Sequence, residues 1–262
     1  MPLYTDQLER TIELKQTPKK IVSAVPSQTE LLFDLGLDEE IIGITKFCVH
    51  PEQWFKAKTR IGGTKQLHLE KIKQLGPDLI IANKEENVRE QIEELAKDFP
   101  VWISDVNNLN DALKMIDSVG EITNKETAAK QLIKQIKTNF SQLQSTNGTL
   151  QTGYLIWKGP YMTVGGDTFI SDMLAYADFQ NIFKQQSRYP EVTIEQLQAA
   201  GCQLLLLSSE PFPFKQKHVD ELQPLLPDTR IILVDGEMFS WYGSRLLKAP
   251  GYFRNLIESL GH

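Results

Sequence analysis

The feature that most constrains this chain is an alternation that runs, stops and restarts. Short apolar runs, KIVSAV (20–25), EIIGIT (40–45), PDLIIAN (77–83) and PVWISDV (100–106), alternate with helix-compatible stretches. A second set follows: TGYLIW (152–157), CQLLLLS (202–208) and RIILVDG (230–236). Strands alternating with helices predict an α/β protein whose mainly parallel sheets carry helices on their faces. The first strand feeds PSQTELLFDLG, where Ser27 and Glu30 have the spacing of a capping box and Gly36 suits a helix end.

The interruption is NKETAAKQLIKQIKTNFSQLQS (124–145), which holds neither Pro nor Gly. Ala128, Leu132, Ile136, Phe140 and Leu143 keep helical spacing, Asn124 suits an N-cap, and Glu126 suits the first turn. Such a helix spans about 33 Å at 1.5 Å per residue. It is either a bridge between two lobes or a long surface helix; the restart of the βα pattern beyond it favours a bridge. An internal repeat points the same way. LEKIKQLGPDLII starts at Leu69 and IEQLQAAGCQLLLL at Ile194, so that Glu70, Ile72, Gly76 and Leu79 match Glu195, Leu197, Gly201 and Leu204. Each reads as a short helix stopped by Gly and followed by a buried strand.

Ligands of open parallel sheets bind beyond the carboxyl ends of the strands. Here those ends carry Phe47, Tyr161, Phe212, Phe214, Phe239, Trp241 and Tyr242, a concentration that suits a cleft for a large, flat or partly apolar ligand. No G-x-G-x-x-G follows the first strand, and neither a P-loop nor a G-x-S-x-G elbow is present, so no catalytic residue is expected. Gly165-Gly166 could approach a phosphate through backbone N–H groups, or form a tight turn opening a helix capped by Asp167 or Thr168. Cys48-x-His50 follows the second strand. A closed zinc site needs four ligands, and His68, His218 and His262 do not pair with the second cysteine, Cys202, which reads as a buried small hydrophobe. An ordinary β-to-α loop remains, or His50 facing a ligand that carries its own metal. The formal charge of −6 disfavours nucleic acid, and no apolar run reaches the roughly 18–20 residues of a membrane span. MPLYTDQLER shows no secretory signal.

Taken together, KIVSAVPSQTELLFDLGLDEEIIGITKFCVHP, GGTK…LEKIKQLGPDLIIA, one long helix and NIF…YPEVTIEQL resemble the substrate-binding proteins of bacterial iron-chelate and cobalamin ABC importers. The likeness runs from about residue 19 to 258 and is nearest to the cobalamin binders of the helical-backbone metal-receptor group. It implies a class III periplasmic-binding-protein-like fold: two Rossmann-like lobes with central mainly parallel sheets, joined by a single long helix. The corresponding boundaries are an N-terminal lobe at 1–122, the helix at 123–147 and a C-terminal lobe at 148–262, with the ligand held between the lobes. The implied role is non-enzymatic: delivery of a metal chelate (a corrinoid such as cobalamin, a ferric siderophore or haem) to an importer permease dimer by a monomer without intrinsic cofactor. Pocket positions carried over by the resemblance are Phe47, Thr64, Tyr161, Tyr189, Glu237 and Trp241. Phe47 stands where a tyrosine is expected and Thr64 where a tryptophan is. Haem would need Tyr161 or Tyr189 as ligand, and an anionic siderophore would need Arg188 or Arg245. Glu70 and Glu195 become the permease-docking carboxylates. The resemblance places such a protein outside the cytoplasmic membrane; a cytoplasmic two-lobe ligand binder or sensor without a transporter is the alternative, and an enzyme of the related bilobal class a third.

Overall fold

The computed structural model describes residues 2–143 and 150–261, and the chain divides into two units. An N-terminal unit comprises Met1–Val106, Asn110–Gln135 and Tyr242–Arg245, and a C-terminal unit the rest.

The N-terminal unit begins with the antiparallel pair β1 (Leu3–Thr5) and β2 (Thr11–Glu13). Their turn is organised by the buried Asp6, whose carboxylate accepts from the backbone N–H groups of Leu8 and Arg10, both at 2.9 Å, and pairs with the Arg10 guanidinium at 2.7 Å. Then come β3 (Ile21–Ser23), α1 (Pro26–Asp34), β4 (Ile41–Ile44), α2 (Glu52–Ala57), β5 (Thr59–Arg60), the small antiparallel pair β6 (Gly62–Gly63) and β7 (Gln66–Leu67), α3 (Leu69–Leu75), β8 (Leu79–Asn83), α4 (Arg89–Leu95), β9 (Val101–Ser104) and α5 (Leu109–Ile122). The main sheet has the order β5-β4-β3-β8-β9 and every pairing is parallel. Strands β3, β8 and β9 are buried along their whole length, which is why each reads as an apolar run up to its last residue.

The long helix α6 spans Glu126–Ser141, and the boundary between the units falls within it, after Gln135. The last two residues of the expected helix, 144 and 145, lie outside the described residues. Asn124 does not cap α6. With φ at 58° it is the left-handed residue that ends α5, its own N–H bonded to the Glu121 carbonyl and the next N–H, of Lys125, to that of Gly120 at 2.6 Å. The Ser27–Glu30 capping box is also absent. Val25 is the N-cap without a side-chain bond, Pro26 opens the helix, and Glu30 is drawn to Arg245 instead. Gly36, at φ 81°, does end α1.

In the C-terminal unit follow β10 (Leu150–Leu155), α7 (Phe169–Tyr176), β11 (Phe179–Asn181), α8 (Ile194–Ala199), β12 (Leu204–Ser208), α9 (Gln216–Leu222), β13 (Arg230–Val234), α10 (Glu237–Ser240) and α11 (Ala249–Leu260). Its sheet, in the order β11-β10-β12-β13, is again parallel throughout. The two repeats take the same form. Helices α3 and α8 end at Gly76 and Gly201, with φ at 59° and 65°, and lead into the buried β8 and β12. Their inward residues Ile72 and Leu197 are fully buried, worth about 1.5–3 kcal/mol each.

Candidate functional site

In the N-terminal unit the loop after β4 separates two neighbouring side chains by chemistry. Cys48 turns inward, with Sγ 3.0 Å from Thr29 Oγ1 and 3.1 Å from Thr45 Oγ1, and burial pushes its thiol pKa up. A protonated, enclosed thiol is a poor metal ligand. Phe47 turns outward and is 51% exposed, with Val49 beside it in sequence at 40%. The Lys46 ammonium lies 5.0 Å from the Phe47 ring centroid. The ring also rests on Gly63, where a Cβ would come within 3.1 Å of Phe47 Cε2, so the glycine in β6 makes room for the aromatic side chain. Thr64 follows directly, half-buried, its carbonyl accepting from Asn87 Nδ2 at 3.1 Å. Phe47 and Thr64 are thus assembled around one glycine; His50 lies half-buried further along the loop. Among the described residues no three His, Cys, Asp or Glu side chains are grouped to hold a metal.

Arg245 also belongs to this unit, and it is buried. Its Nε donates to Glu30 Oε2 at 2.9 Å and its Nη2 to Oε1 at 2.8 Å, a bidentate pair. The neighbouring Tyr242 hydroxyl donates to Glu86 at 2.7 Å.

In the C-terminal unit two segments pair antiparallel. Val192 N–H donates to the Tyr161 carbonyl at 2.9 Å, Thr163 to Pro190 at 3.0 Å, Gly165 to Arg188 at 2.7 Å and Gly166 to Gln186 at 2.9 Å. Tyr161 and Tyr189, both half-buried, therefore sit on adjoining segments. The Gly165 and Gly166 N–H groups are spent on this ladder, and a Cβ at either position would run into the backbone of 184–187. That removes the phosphate alternative. The turn does open a helix, α7, with Thr168 as its cap.

Tyr161 packs against an apolar cluster that continues through Phe212 and Phe214. Trp157, 40% exposed, meets the Phe212 ring edge-on at 5.7 Å, and Phe212 stands 4.8 Å from Phe214. His218 closes the stack at 5.3 Å from Phe212; burial lowers its pKa, and its Nδ1 accepts from Lys215 N–H. Of the aromatic residues at strand ends, Phe214, Phe239, Trp241 and Tyr242 are buried, and Phe239 is wholly core. Arg188 contacts Asp167 at 3.6 Å and Asn107 at 3.2 Å, both in the same unit.

A further cluster gathers where β12 and β13 end. Glu210 Oε1 accepts from Ser240 Oγ at 2.5 Å and from the Trp241 indole N–H at 2.9 Å. Burial pushes the Glu210 carboxyl pKa up, and the nearby Glu237 and Asp235 carboxylates add to the rise. The resemblance points to Glu237 and Trp241 but to neither Glu210 nor Trp157; only the fold brings Glu210 beside Trp241, 31 residues away. Glu70 and Glu195 are each the second residue of their helices, α3 and α8, and each is exposed.

Comparison with known proteins follows the same lines. The family model described as periplasmic binding protein matches residues 21–223. An uncharacterised ABC transporter substrate-binding lipoprotein, YvrC of Bacillus subtilis (strain 168), is 29% identical over 202 residues, covering 72% of this chain and 63% of that protein. A vitamin B12-binding protein of Vibrio campbellii is 26% identical over 184 residues, covering 68% of this chain and 66% of that protein. The matches therefore span just under two thirds of these two relatives' own length. The periplasmic catecholate-siderophore binding protein VctP of Vibrio cholerae superposes with a TM-score of 0.79 at 15% identity, covering 97% of this chain and 99% of that one, a likeness of fold.

Proposed function

Because this chain belongs to the periplasmic binding protein family, we propose that it binds a flat metal chelate of low negative charge, of the corrinoid class, and delivers it unchanged to the permease of an ABC importer. The observation that carries this reading is the commitment of the two candidate anion-holding arginines: Arg245 is buried in a bidentate pair with Glu30, and Arg188 lies against Asp167. A highly anionic ferric siderophore would need such cations uncommitted. What the chain presents instead is aromatic surface, Phe47 in one unit and Trp157 with Tyr161 in the other, together with the acidic Glu237 and Glu210. Aromatic faces give large contact area to a flat ligand at low entropic cost.

Within this reading the protein works outside the cytoplasmic membrane, without catalysis and without a resident cofactor. Glu70 and Glu195, placed alike by the two repeats, dock onto paired basic sites of the permease, an arrangement in which matched charges set orientation and association rate. Haem is the second reading, favoured by the adjoining placement of Tyr161 and Tyr189. Thermal-shift titration with cyanocobalamin, dicyanocobinamide, haemin and a ferric tris-catecholate separates them. A ligand at a hundred times its Kd stabilises by about 2.7 kcal/mol. The corrinoids are expected to raise the melting temperature and the catecholate to leave it unchanged; the reverse order would overturn the assignment.

A further inference from the structure

Resting on that reading, we propose that Glu210 is the positioning residue for Trp241 in the ligand-binding wall of the C-terminal unit, and that it makes ligand affinity depend on protons.

The first support is geometric. One carboxylate oxygen of Glu210 holds two donors at once, the Ser240 hydroxyl at the end of α10 and the indole N–H of Trp241, which follows it. Trp241 is only 6% exposed, and Glu210 gives its indole N–H the acceptor that a buried donor requires. Glu210 is itself fixed through its main chain. Its carbonyl accepts from Ser208 Oγ at 2.6 Å, and its N–H donates to the same oxygen at 3.3 Å. Gly236 presses against it, since a Cβ there would fall 2.8 Å from Glu210 Cγ. The acceptor that orients Trp241 is thus anchored at the end of β12, and α10 and Trp241 are aligned to it.

The second support is that the carboxylate sits where architecture alone would not choose a charge. The groups facing it are Asp235, before α10, Glu237 on α10 and Tyr154 from β10; Tyr252 from α11 stands beyond, its hydroxyl accepting from Asp235 N–H. Ionising Glu210 places a third negative charge beside two carboxylates in a largely dry setting, a destabilising choice that a glutamine would avoid while still accepting both hydrogen bonds. Groups kept at a cost to stability concentrate at functional sites. Proton uptake by Glu210 exchanges two charge-assisted bonds for neutral ones, which are about half as strong, and Trp241 is held less firmly.

The test uses the whole chain in two measurements. In the first, the indole N–H resonance of Trp241, assigned with Trp241→Phe in ¹⁵N-tryptophan-labelled protein, is followed against pH. It should titrate in the wild type and stay still in Glu210→Gln. In the second, cyanocobalamin affinity is measured across the same range. Glu210→Ala should weaken binding about tenfold; Glu210→Gln should recover most of that loss and remove the pH dependence. An indole signal indifferent to pH and to Glu210→Ala would overturn the positioning role. A responsive indole with an unaltered Kd in Glu210→Ala would overturn the link to the ligand. Failure of cyanocobalamin to bind the wild type would refute the corrinoid reading and with it the claim of proton-linked corrinoid affinity, while the indole titration decides the positioning role by itself.

Discussion

Replacing Arg245 with Met offers the sharpest test of how the interior of the N-terminal unit is held. Both side chains of the Arg245–Glu30 pair are more than nine-tenths buried, at 7% and 9% exposure, and both carboxylate oxygens receive a guanidinium N–H at 2.8–2.9 Å. Truncating one partner leaves the other as an uncompensated charge away from water, which costs about 3–5 kcal/mol. For a chain of this size, with about 2–4 °C per kcal/mol, the expected fall in melting temperature is on the order of 10 °C. The double variant Glu30→Leu/Arg245→Met removes both charges and should recover most of the loss, since apolar replacements of buried pairs are often neutral. Denaturant titration of the four proteins closes a double-mutant cycle with an expected coupling of about 2–3 kcal/mol. The measurement is made without ligand. If Arg245→Met melted within a degree of wild type and lost only chelate affinity, Arg245 would be a ligand-holding residue after all, and the reasoning from its burial would fail.

Other expectations follow from the same geometry. The raised Glu210 pKa means that its ionisation opposes folding: its contribution to stability is present below the ordinary carboxylate range and is lost as pH rises through the elevated value. Glu210→Gln should therefore melt above wild type at about pH 8 and match it at about pH 4; equal melting temperatures at both would contradict this. Gly166→Ala forces a methyl group against the Lys184 carbonyl and should cost about 1–3 kcal/mol or more in urea denaturation, whereas an unchanged midpoint would mean that the 184–188 segment yields easily. Glu70→Ala and Glu195→Ala, at exposed positions, should keep the melting temperature and the ligand affinity but weaken association with the permease in reconstituted membranes. Phe47→Ala and Trp157→Ala should each leave stability within about 0.5–1 kcal/mol while lowering chelate affinity; unaltered binding in both would show that the aromatic surface is not where the ligand rests.

How much of this was legible in the sequence depends on the range of the interactions. The α/β class was, because parallel strands covered on both faces are apolar along nearly their whole length, and LIIAN and LLLLS are apolar up to their last residue. The repeat was legible for a similar reason: a helix that must stop and return into the sheet needs a left-handed residue, and Gly76 and Gly201 supply it. Local capping misled. Ser27 and Glu30 have the right spacing, yet Pro26 already satisfies the start of α1 and a buried arginine 215 residues away claims the glutamate. Asn124 has the right chemistry for a cap, but it closes the preceding helix instead of opening the next. The edge strand β11 and the hairpin β1–β2 are only three residues per strand and give no periodicity to read. Nothing local marks Glu210, since its bonds with Ser240 and Trp241 exist only once the chain has folded.

The small hairpin has a consequence beyond its size. Strand β9 would otherwise present the outer rim of the five-stranded sheet, but Gln7 N–H donates to the Ile103 carbonyl, Asp6 accepts from Ile103 N–H, and Gln7 Oε1 accepts from Asp105 N–H. The rim's hydrogen-bonding capacity is thus taken up by Asp6 and Gln7 in the turn of the hairpin. Without the hairpin this edge would be open to intermolecular strand addition at high protein concentration.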